Sequence, residues 1–319
     1  MTSRIAVAAT APFGADVLER LASRYVISCV LTRPDAPAGR GRRLAVPPAK
    51  EVAERRGIPI LQPERLVPGL ELGAETVVAV AYGLIVPEPV LGERLWLNVH
   101  PALLPLWRGA APVERALMAG DTETGVTIIR LVKELDAGPI AAQRAFDIEP
   151  EDDAGAVYAK AAAIAVDLLD AVLADHAPEF RAQSGDVTYA EKITAEDRRL
   201  DLDRSAGELV DRVRALSPHI GARAEMRGRN VTVWRARVGA DSSFEPVEVQ
   251  PDGGRRMSYE AWLRGLKSQG RRGLRPSRSC CARSRAAPTR IELFARRPQG
   301  STHGTARSHS DWPSEPFSG

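Results

Sequence analysis

The chain of 319 residues is poor in cysteine and in aromatic residues, and it lacks a long apolar run. Of its three cysteines, Cys280 and Cys281 lie near the carboxyl terminus, and Cys29 stands alone in an apolar segment. Neither a disulfide framework nor a cysteine metal site is therefore expected. The apolar runs are shorter than the roughly 18 residues of a membrane-spanning helix, and none resembles a secretory signal. We expect a cytoplasmic protein that does not associate with membranes.

A glycine-rich phosphate loop is also missing after the first strand-like segment. The turn at residues 8–14 reads AATAPFG and has no G-x-G-x-x-G pattern. Without those glycines the backbone cannot approach a pyrophosphate closely. This absence argues against a nicotinamide or flavin dehydrogenase.

The net charge of +3 combines two parts of the chain with opposite charge. Residues 267–319 carry 11 basic and 3 acidic side chains, whereas residues 1–266 carry 33 and 38. The body is mildly acidic, so the overall charge gives no argument for nucleic-acid binding. Only five of the last 53 residues are Leu, Ile, Val or Phe, too few to form a core. We predict a disordered basic tail there and hypothesise that a shifted reading frame or an altered end produced it.

What the chain does contain is an alternation of apolar strand-like segments with helix-like ones. Such alternation is typical of a parallel sheet covered by helices, which is an α/β fold. Strands are expected at residues 4–9, 26–32, 58–61, 75–82, 95–100, 126–132 and 140–146. Helices are expected at residues 14–23, 47–56 and 112–119, and from about Asp153 onward.

Two polar side chains, Asn98 and His100, end an apolar strand-like segment just before Pro101. Side chains two apart on a strand share a face, and open parallel sheets bind ligands at the carboxyl ends of their strands. Asp136 follows the next apolar segment and would reach the same edge if that strand were parallel. An amide and an imidazole can stabilise an oxyanion and move a proton, so this group predicts a catalytic site.

Each of these motifs also has a purely structural interpretation. Asn and His at a strand end often anchor a loop, and Asp-Ala-Gly-Pro at residues 136–139 is an ordinary turn sequence. The structural and catalytic interpretations are compatible, because a turn is what directs a carboxylate side chain.

The motifs NVHPALLP at residues 98–105 and LDAG at residues 135–138 resemble the signature of formyltransferases that use 10-formyltetrahydrofolate. Within that family, three further segments resemble the members that formylate methionyl-tRNA. They are TRPDAPAGRGRR at residues 32–43, WRGAAP at residues 107–112 and YAEK at residues 189–192. Because several independent motifs occur in the same order, the resemblance is specific. It runs to about residue 238 and resumes from 249 to about 266.

The resemblance implies a Rossmann-like catalytic domain over residues 1–185 with a mostly parallel sheet. A linker at residues 186–202 would lead to a small tRNA-binding domain of the OB-like, β-rich kind at residues 203–266. The tail at residues 267–319 has no counterpart in the family. A closed barrel of that kind needs about five strands, and the sequence shows three, so we expect a shortened domain. The three are at residues 222–226, 231–238 and 246–249, after a helix that starts with a capping box at residues 205–208.

By the same resemblance, Asn98, His100 and Asp136 are the catalytic residues, and no metal is required. The formyl donor, 10-formyltetrahydrofolate, would lie against two segments, formed by Gly83, Leu84, Ile85 and Val86 and by Ala102, Leu103, Leu104 and Pro105. Initiator methionyl-tRNA would be contacted by Arg40, Arg42 and Arg43, and we expect a monomer. The chain departs from the family at Ala9 and Ala11, and at Ala102, where the family usually has serine.

Two other functions remain open from the sequence. The same catalytic side chains could formylate another amine, such as a nucleotide-linked amino sugar or a glycinamide nucleotide. The arginine-rich loop and the second domain argue against that acceptor. Alternatively, the chain could be a non-catalytic RNA-binding module on a degenerate scaffold, which the shortened C-terminal domain leaves open.

Overall fold

The computed structural model describes residues 4–38, 43–174 and 178–272. The strands in these ranges are β1 (Arg4–Ala9), β2 (Val26–Leu31), β3 (Ala36–Ala38), β4 (Arg43–Ala45), β5 (Ile60–Leu61), β6 (Thr76–Val80), β7 (Leu95–His100), β8 (Arg108–Gly109), β9 (Glu123–Arg130), β10 (Ile140–Asp147), β11 (Tyr189–Ala190), β12 (Ala222–Met226), β13 (Arg229–Val238), β14 (Phe244–Pro251) and β15 (Met257–Ser258). The helices are α1 (Pro12–Leu21), α2 (Pro48–Arg56), α3 (Glu88–Leu91), α4 (Pro112–Ala119), α5 (Ala154–Ala174), α6 (Ala206–Leu216) and α7 (Tyr259–Arg272). None of them is long and apolar enough to cross a membrane.

The main sheet contains seven strands in the order β10-β9-β7-β6-β1-β2-β5. From β7 to β5 all neighbours are parallel. In contrast, β9 runs antiparallel to β7, and β10 runs antiparallel to β9. The predicted α/β fold with a mostly parallel sheet is therefore confirmed, and the expected strands lie within a few residues of the observed ones.

Both faces of this sheet are buried. Successive side chains of a strand point to opposite faces, so each strand contributes to two apolar layers. On β1, Ile5 and Val7 belong to a core that also contains Leu18 of α1 and Leu169 of α5. The alternate alanines of the same strand pack in a second cluster on the other face, together with Trp96. Burying each large aliphatic side chain contributes about 1.5–3 kcal/mol, so these two layers fix the position of the strand ends.

The helices begin where the sequence contains the expected signals. Pro12 and Pro112 occupy the first turns of α1 and α4, where a missing backbone N–H costs nothing. The Asp153 carboxylate accepts a hydrogen bond from the Ala156 N–H at 2.9 Å and thereby caps α5. The capping box predicted for α6 is confirmed, with Ser205 accepting from the Glu208 N–H.

A second, antiparallel sheet follows in the order β12-β13-β14-β15. Its inner face and helices α6 and α7 enclose a separate apolar core that includes Leu209, Val233 and Trp262. The sequence predicted three strands here, whereas the structure has a longer β14 and an additional short strand, β15. Helix α7 also continues six residues past the predicted boundary at 266, to Arg272. The remainder of the predicted tail lies outside the described residues.

Candidate active site

Strand β7 carries the first two predicted catalytic residues to the carboxyl end of the main sheet. Its burial pattern keeps Asn98 half-buried, whereas the His100 side chain is buried. The neighbouring β6 runs parallel to β7, with Ala79 opposite Asn98. The segment that follows β6 therefore leaves the sheet at the same edge as the two polar side chains.

Asp136 reaches this edge by a different route from the one predicted. The sequence argument required the preceding strand to be parallel, but β9 is antiparallel to β7 and ends opposite Leu97. The loop of residues 131–139 then folds back onto the end of β9, where the Arg130 N–H donates to the Pro139 carbonyl oxygen at 3.0 Å. Gly138 lies so close to this strand that a Cβ there would overlap the Arg130 carbonyl oxygen. Asp136 has a φ of 48°, a left-handed conformation that Asp tolerates better than most residues. Its position was predicted correctly from an incorrect strand direction.

The structure brings the three predicted catalytic side chains together around one carboxylate. Asp136 Oδ1 accepts a hydrogen bond from Asn98 Nδ2 at 3.3 Å. Asp136 Oδ2 accepts a second one from the Gly109 N–H at 2.9 Å and lies 3.6 Å from His100 Nδ1. The side chains of His100 and Asp136 are only 4% and 8% exposed, so these groups interact in a largely dry environment where electrostatic effects are strong.

The two ring nitrogens of His100 have different partners. Nε2 lies 2.8 Å from the Trp107 carbonyl oxygen, which can only accept, so Nε2 carries a hydrogen and donates it. Nδ1 faces Asp136 at a distance longer than a hydrogen bond. Since Nε2 is held by the backbone, Nδ1 is the nitrogen able to exchange a proton on the side of the carboxylate.

A short parallel pair of strands, β8 and β11, supports the loop that carries Gly109. Gly109 has a φ of 128°, and a Cβ there would lie 2.6 Å from the Ala190 carbonyl oxygen, so glycine is required. Ala190 accepts from the Ala110 N–H at 2.8 Å, and Thr188 Oγ1 accepts from the Trp107 N–H at 2.8 Å. The WRGAAP and YAEK motifs are thus joined in space. The segment predicted to be a linker forms part of the framework of the site.

The residues predicted to bind the formyl donor form two groups at this edge. In the segment after β6, Gly83 and Ile85 are exposed, while Leu84 and Val86 are half-buried against the core. In the segment after β7, Ala102 and Leu104 are buried, whereas Leu103 and Pro105 are half-buried. The Ala102 carbonyl oxygen accepts a hydrogen bond from Thr127 Oγ1 at 2.6 Å. Contacts with a ligand are therefore available to the half-buried and exposed members rather than to the Ala102 and Leu104 side chains.

The arginine-rich segment is described only at its base. Strands β3 and β4 pair as an antiparallel hairpin, with Ala38 opposite Arg43. Asp35 anchors the base by accepting from Lys50 Nζ at 2.7 Å and from Gln62 Nε2 at 2.8 Å. Arg40 and Arg42 lie outside the described residues, as does the side chain of Arg43.

Sequence reasoning missed Gln183, whose amide contacts the backbone of the Asp136 loop. Its Nε2 donates to the Asp136 carbonyl oxygen at 2.7 Å and to the Gly138 carbonyl oxygen at 2.8 Å. A lone glutamine in an irregular segment matches no motif or periodic pattern, so the sequence held no signal for it. Thr188 was also missed, although it lies directly before the YAEK motif.

An amide donor, an imidazole and a carboxylate around one point can act on a carbonyl carbon. The amide and the imidazolium stabilise negative charge on oxygen, and the imidazole and carboxylate can exchange protons with an attacking or leaving amine.

Among known proteins, a formyl transferase family model matches residues 3–173, and a formyl transferase C-terminal domain model matches residues 192–246.

Curated relatives of nearly equal length support the same assignment. The methionyl-tRNA formyltransferase of Methylococcus capsulatus is 37% identical, with 84% of this chain and 99% of the relative covered. The methionyl-tRNA formyltransferase of Halorhodospira halophila is 39% identical, with 84% of this chain and 97% of the relative covered. That of Thermus thermophilus is also 39% identical, with 82% of this chain and 96% of the relative covered.

Solved structures show the same fold. The methionyl-tRNA formyltransferase from Clostridium thermocellum matches with a TM-score of 0.55 at 15% identity, covering 78% of this chain and 98% of that chain. HypX from Aquifex aeolicus in complex with tetrahydrofolic acid matches with a TM-score of 0.54 at 17% identity, covering 82% of this chain and 47% of that one. Taken with the family models and the close relatives, this fold shows that the chain belongs to the formyl transferase family, among the methionyl-tRNA formyltransferases.

Proposed function

We propose that this formyltransferase moves the formyl group of 10-formyltetrahydrofolate to the amino group of initiator methionyl-tRNA. The observation that carries the proposal is the Asp136 carboxylate, held between the Asn98 amide and the Gly109 N–H and facing His100 Nδ1. The names of the nearly full-length relatives supply the acceptor.

In the proposed reaction, the methionyl amine attacks the formyl carbon, and the bond between that carbon and N10 of the folate then breaks. The Asn98 amide and His100 Nδ1 donate to the oxyanion of the tetrahedral intermediate. Asp136 accepts the proton that the amine loses, and His100 delivers a proton to the leaving N10. The net proton transfer runs from the amine to the folate, and Asp136 and His100 then re-equilibrate across the 3.6 Å between Oδ2 and Nδ1.

The proposed folate site lies between Gly83, Ile85, Leu103 and Pro105, next to the catalytic side chains. Because the Ala102 methyl is buried, the serine hydroxyl usual in the family would be a buried group making one hydrogen bond. Losing such a bond costs about 1 kcal/mol, which is too little to abolish activity.

The proposed tRNA contacts are Arg40, Arg42 and Arg43, together with the second sheet. Arginine presents a planar fork that matches phosphate oxygens. Of the segment that contains them, the structure describes the base, which the Asp35 contacts hold in place. We propose that the protein acts as a monomer.

The test uses the full chain with 10-formyltetrahydrofolate and charged initiator tRNA, followed by mass analysis of the released aminoacyl group. We expect N-formylmethionine, formed faster than any formylated product from glycinamide nucleotide or a nucleotide-linked amino sugar in parallel reactions. Preferential formylation of either small amine would overturn the proposed acceptor. Binding of tRNA without any formyl transfer would overturn the enzymatic function.

A further inference from the structure

The Asp136 loop is held by a ring of hydrogen bonds that passes through Gln183. The segment containing Gln183 is brought to this loop by Arg181, which exchanges two backbone hydrogen bonds with Ile140 at 2.7 and 2.9 Å. Gln183, two residues further on, is half-buried and lies over residues 136–138.

Both polar atoms of the Gln183 side chain, Nε2 and Oε1, have hydrogen-bond partners. Its Nε2 donates to the carbonyl oxygens of Asp136 and Gly138, at 2.7 and 2.8 Å. Its Oε1 accepts from Arg108 Nε at 3.1 Å and from Arg108 Nη2 at 2.6 Å. The partners fix the orientation of the amide, since carbonyls require its NH₂ group and the guanidinium requires its oxygen.

Arg108 directly precedes Gly109, whose N–H donates to Asp136 Oδ2 at 2.9 Å. The hydrogen bonds therefore form a closed ring. Gln183 binds the Asp136 backbone and Arg108, and Gly109, which follows Arg108, binds the Asp136 carboxylate. Asp136 is in a left-handed conformation, which persists only where surrounding contacts determine it. A glutamine that fixes the peptide on the carbonyl side of such a residue sets the direction of its side chain.

We propose that Gln183 is a positioning residue that acts on formyl transfer only through Asp136. Its four hydrogen bonds go to Arg108 and to the loop that carries the carboxylate, and none of them goes to Asn98 or His100. This inference rests on the proposed function, because it assigns a role within that reaction.

The test compares Gln183→Met, which keeps the length of the side chain but removes its hydrogen bonds, with wild type in formyl transfer to methionyl-tRNA. We expect kcat to fall by about 10- to 100-fold, because a displaced catalytic group loses its alignment, while KM for the folate changes little. Gln183→Glu keeps an oxygen for Arg108 but loses both donors, so it should show the same loss of kcat even if Gln183→Met folds poorly.

A matched control is Arg94→Met. Arg94 also donates to two loop carbonyls, those of Ala74 and Leu70, but it precedes β7 at the opposite end of that strand. If Gln183 only stabilised the fold, both variants would lower Tm and neither would change kcat of the folded enzyme.

The decisive readout is a double-mutant cycle with Asp136→Asn. We expect Gln183→Met to have no further effect on kcat in the Asp136→Asn background. Multiplied effects, or an unchanged kcat in both single Gln183 variants, would overturn the proposal. An inactive wild-type enzyme would instead refute the proposed function, so the two failures are distinguishable.

Discussion

The edge of the main sheet that carries the proposed catalytic residues Asn98, His100 and Asp136, called the catalytic edge below, differs from the C-terminal sheet in what holds it together. At the catalytic edge, the buried Asp136 carboxylate accepts hydrogen bonds from the half-buried Asn98 amide and Gly109 N–H. In the C-terminal sheet, a core of apolar side chains such as Leu209 and Trp262 provides the stability.

The charged pairs of the C-terminal sheet lie at its surface. The ion pair between Arg237 and Glu245 is an example, with side chains 72% and 40% exposed. Exposed pairs of this kind contribute little to folding stability. Replacing a buried polar group at the catalytic edge should therefore alter the reaction, whereas replacing an apolar side chain of the C-terminal sheet should alter stability.

The largest expected effect is that of Asp136→Asn on the reaction. The variant keeps the shape of the side chain but removes its charge, so we expect kcat to fall by about 10³-fold, within the range for losing a general acid or base. Steady-state formyl transfer measures this loss. Asp16→Asn, at a surface ion pair with Arg20, is the control and should match wild type. A normal kcat in Asp136→Asn would show that the buried polar groups of the catalytic edge do not determine the reaction.

The next effect is expected on the stability of the C-terminal sheet. Leu209 is 2% exposed, so Leu209→Ala should lower the free energy of unfolding by about 3 kcal/mol through lost burial and a residual cavity. Urea unfolding measures the change, and Val238→Ala is the control because Val238 is 48% exposed. The kcat of the folded Leu209→Ala enzyme should stay at the wild-type value. A large loss of kcat would show that the two regions are not independent.

A smaller effect is expected from the ion pair that ties the connecting segment to α4. Arg115 donates to both Asp197 carboxylate oxygens at 2.8 and 2.9 Å, and these hydrogen bonds, together with two from Thr194, lower the pKa of Asp197 from 3.8 to about 2. The contacts of the ionised Asp197 should therefore stabilise the folded state by about 2 kcal/mol above about pH 4, and this contribution is lost as the pH falls through about 2. Acid unfolding of wild type and Asp197→Asn measures it, and identical pH profiles of stability would contradict the prediction.

The smallest effect is expected at the start of α6. Ser205→Ala removes the hydroxyl that caps the helix and should lower the free energy of unfolding by about 1 kcal/mol. Thermal unfolding measures this change. A loss of kcat in the fully folded variant would count against the separation of stability from catalysis.

Much of the catalytic edge was predictable because strand patterns are local. The apolar run ending in Asn98 and His100 directly indicates a strand whose last polar side chains share one face. The proximity of Asp136 to these two side chains was predicted as well, although the parallel direction assumed for its strand was wrong. Apolar periodicity carries no information on strand direction, and here the returning loop, not the strand end, positions the carboxylate.

Other features depended on contacts between residues far apart in sequence. Gln183 could not be predicted, because only the pairing of Arg181 with Ile140 brings it to the Asp136 loop. The close approach of Gly109 to Ala190 likewise appears only in the folded chain. The full length of β14 was missed because Pro246 and Pro251 interrupt its alternation, and proline is unusual in a strand that is paired on both sides.

The most direct measurement of the central claim is the single-turnover rate of formyl transfer in Asn98→Ala, Asp136→Asn and the double variant, with both substrates saturating. If the amide and the carboxylate work as one unit on the same carbonyl carbon, the double variant will be about as slow as the slower single variant. Losses that multiply in the double variant would show that the two side chains act separately and would contradict the account.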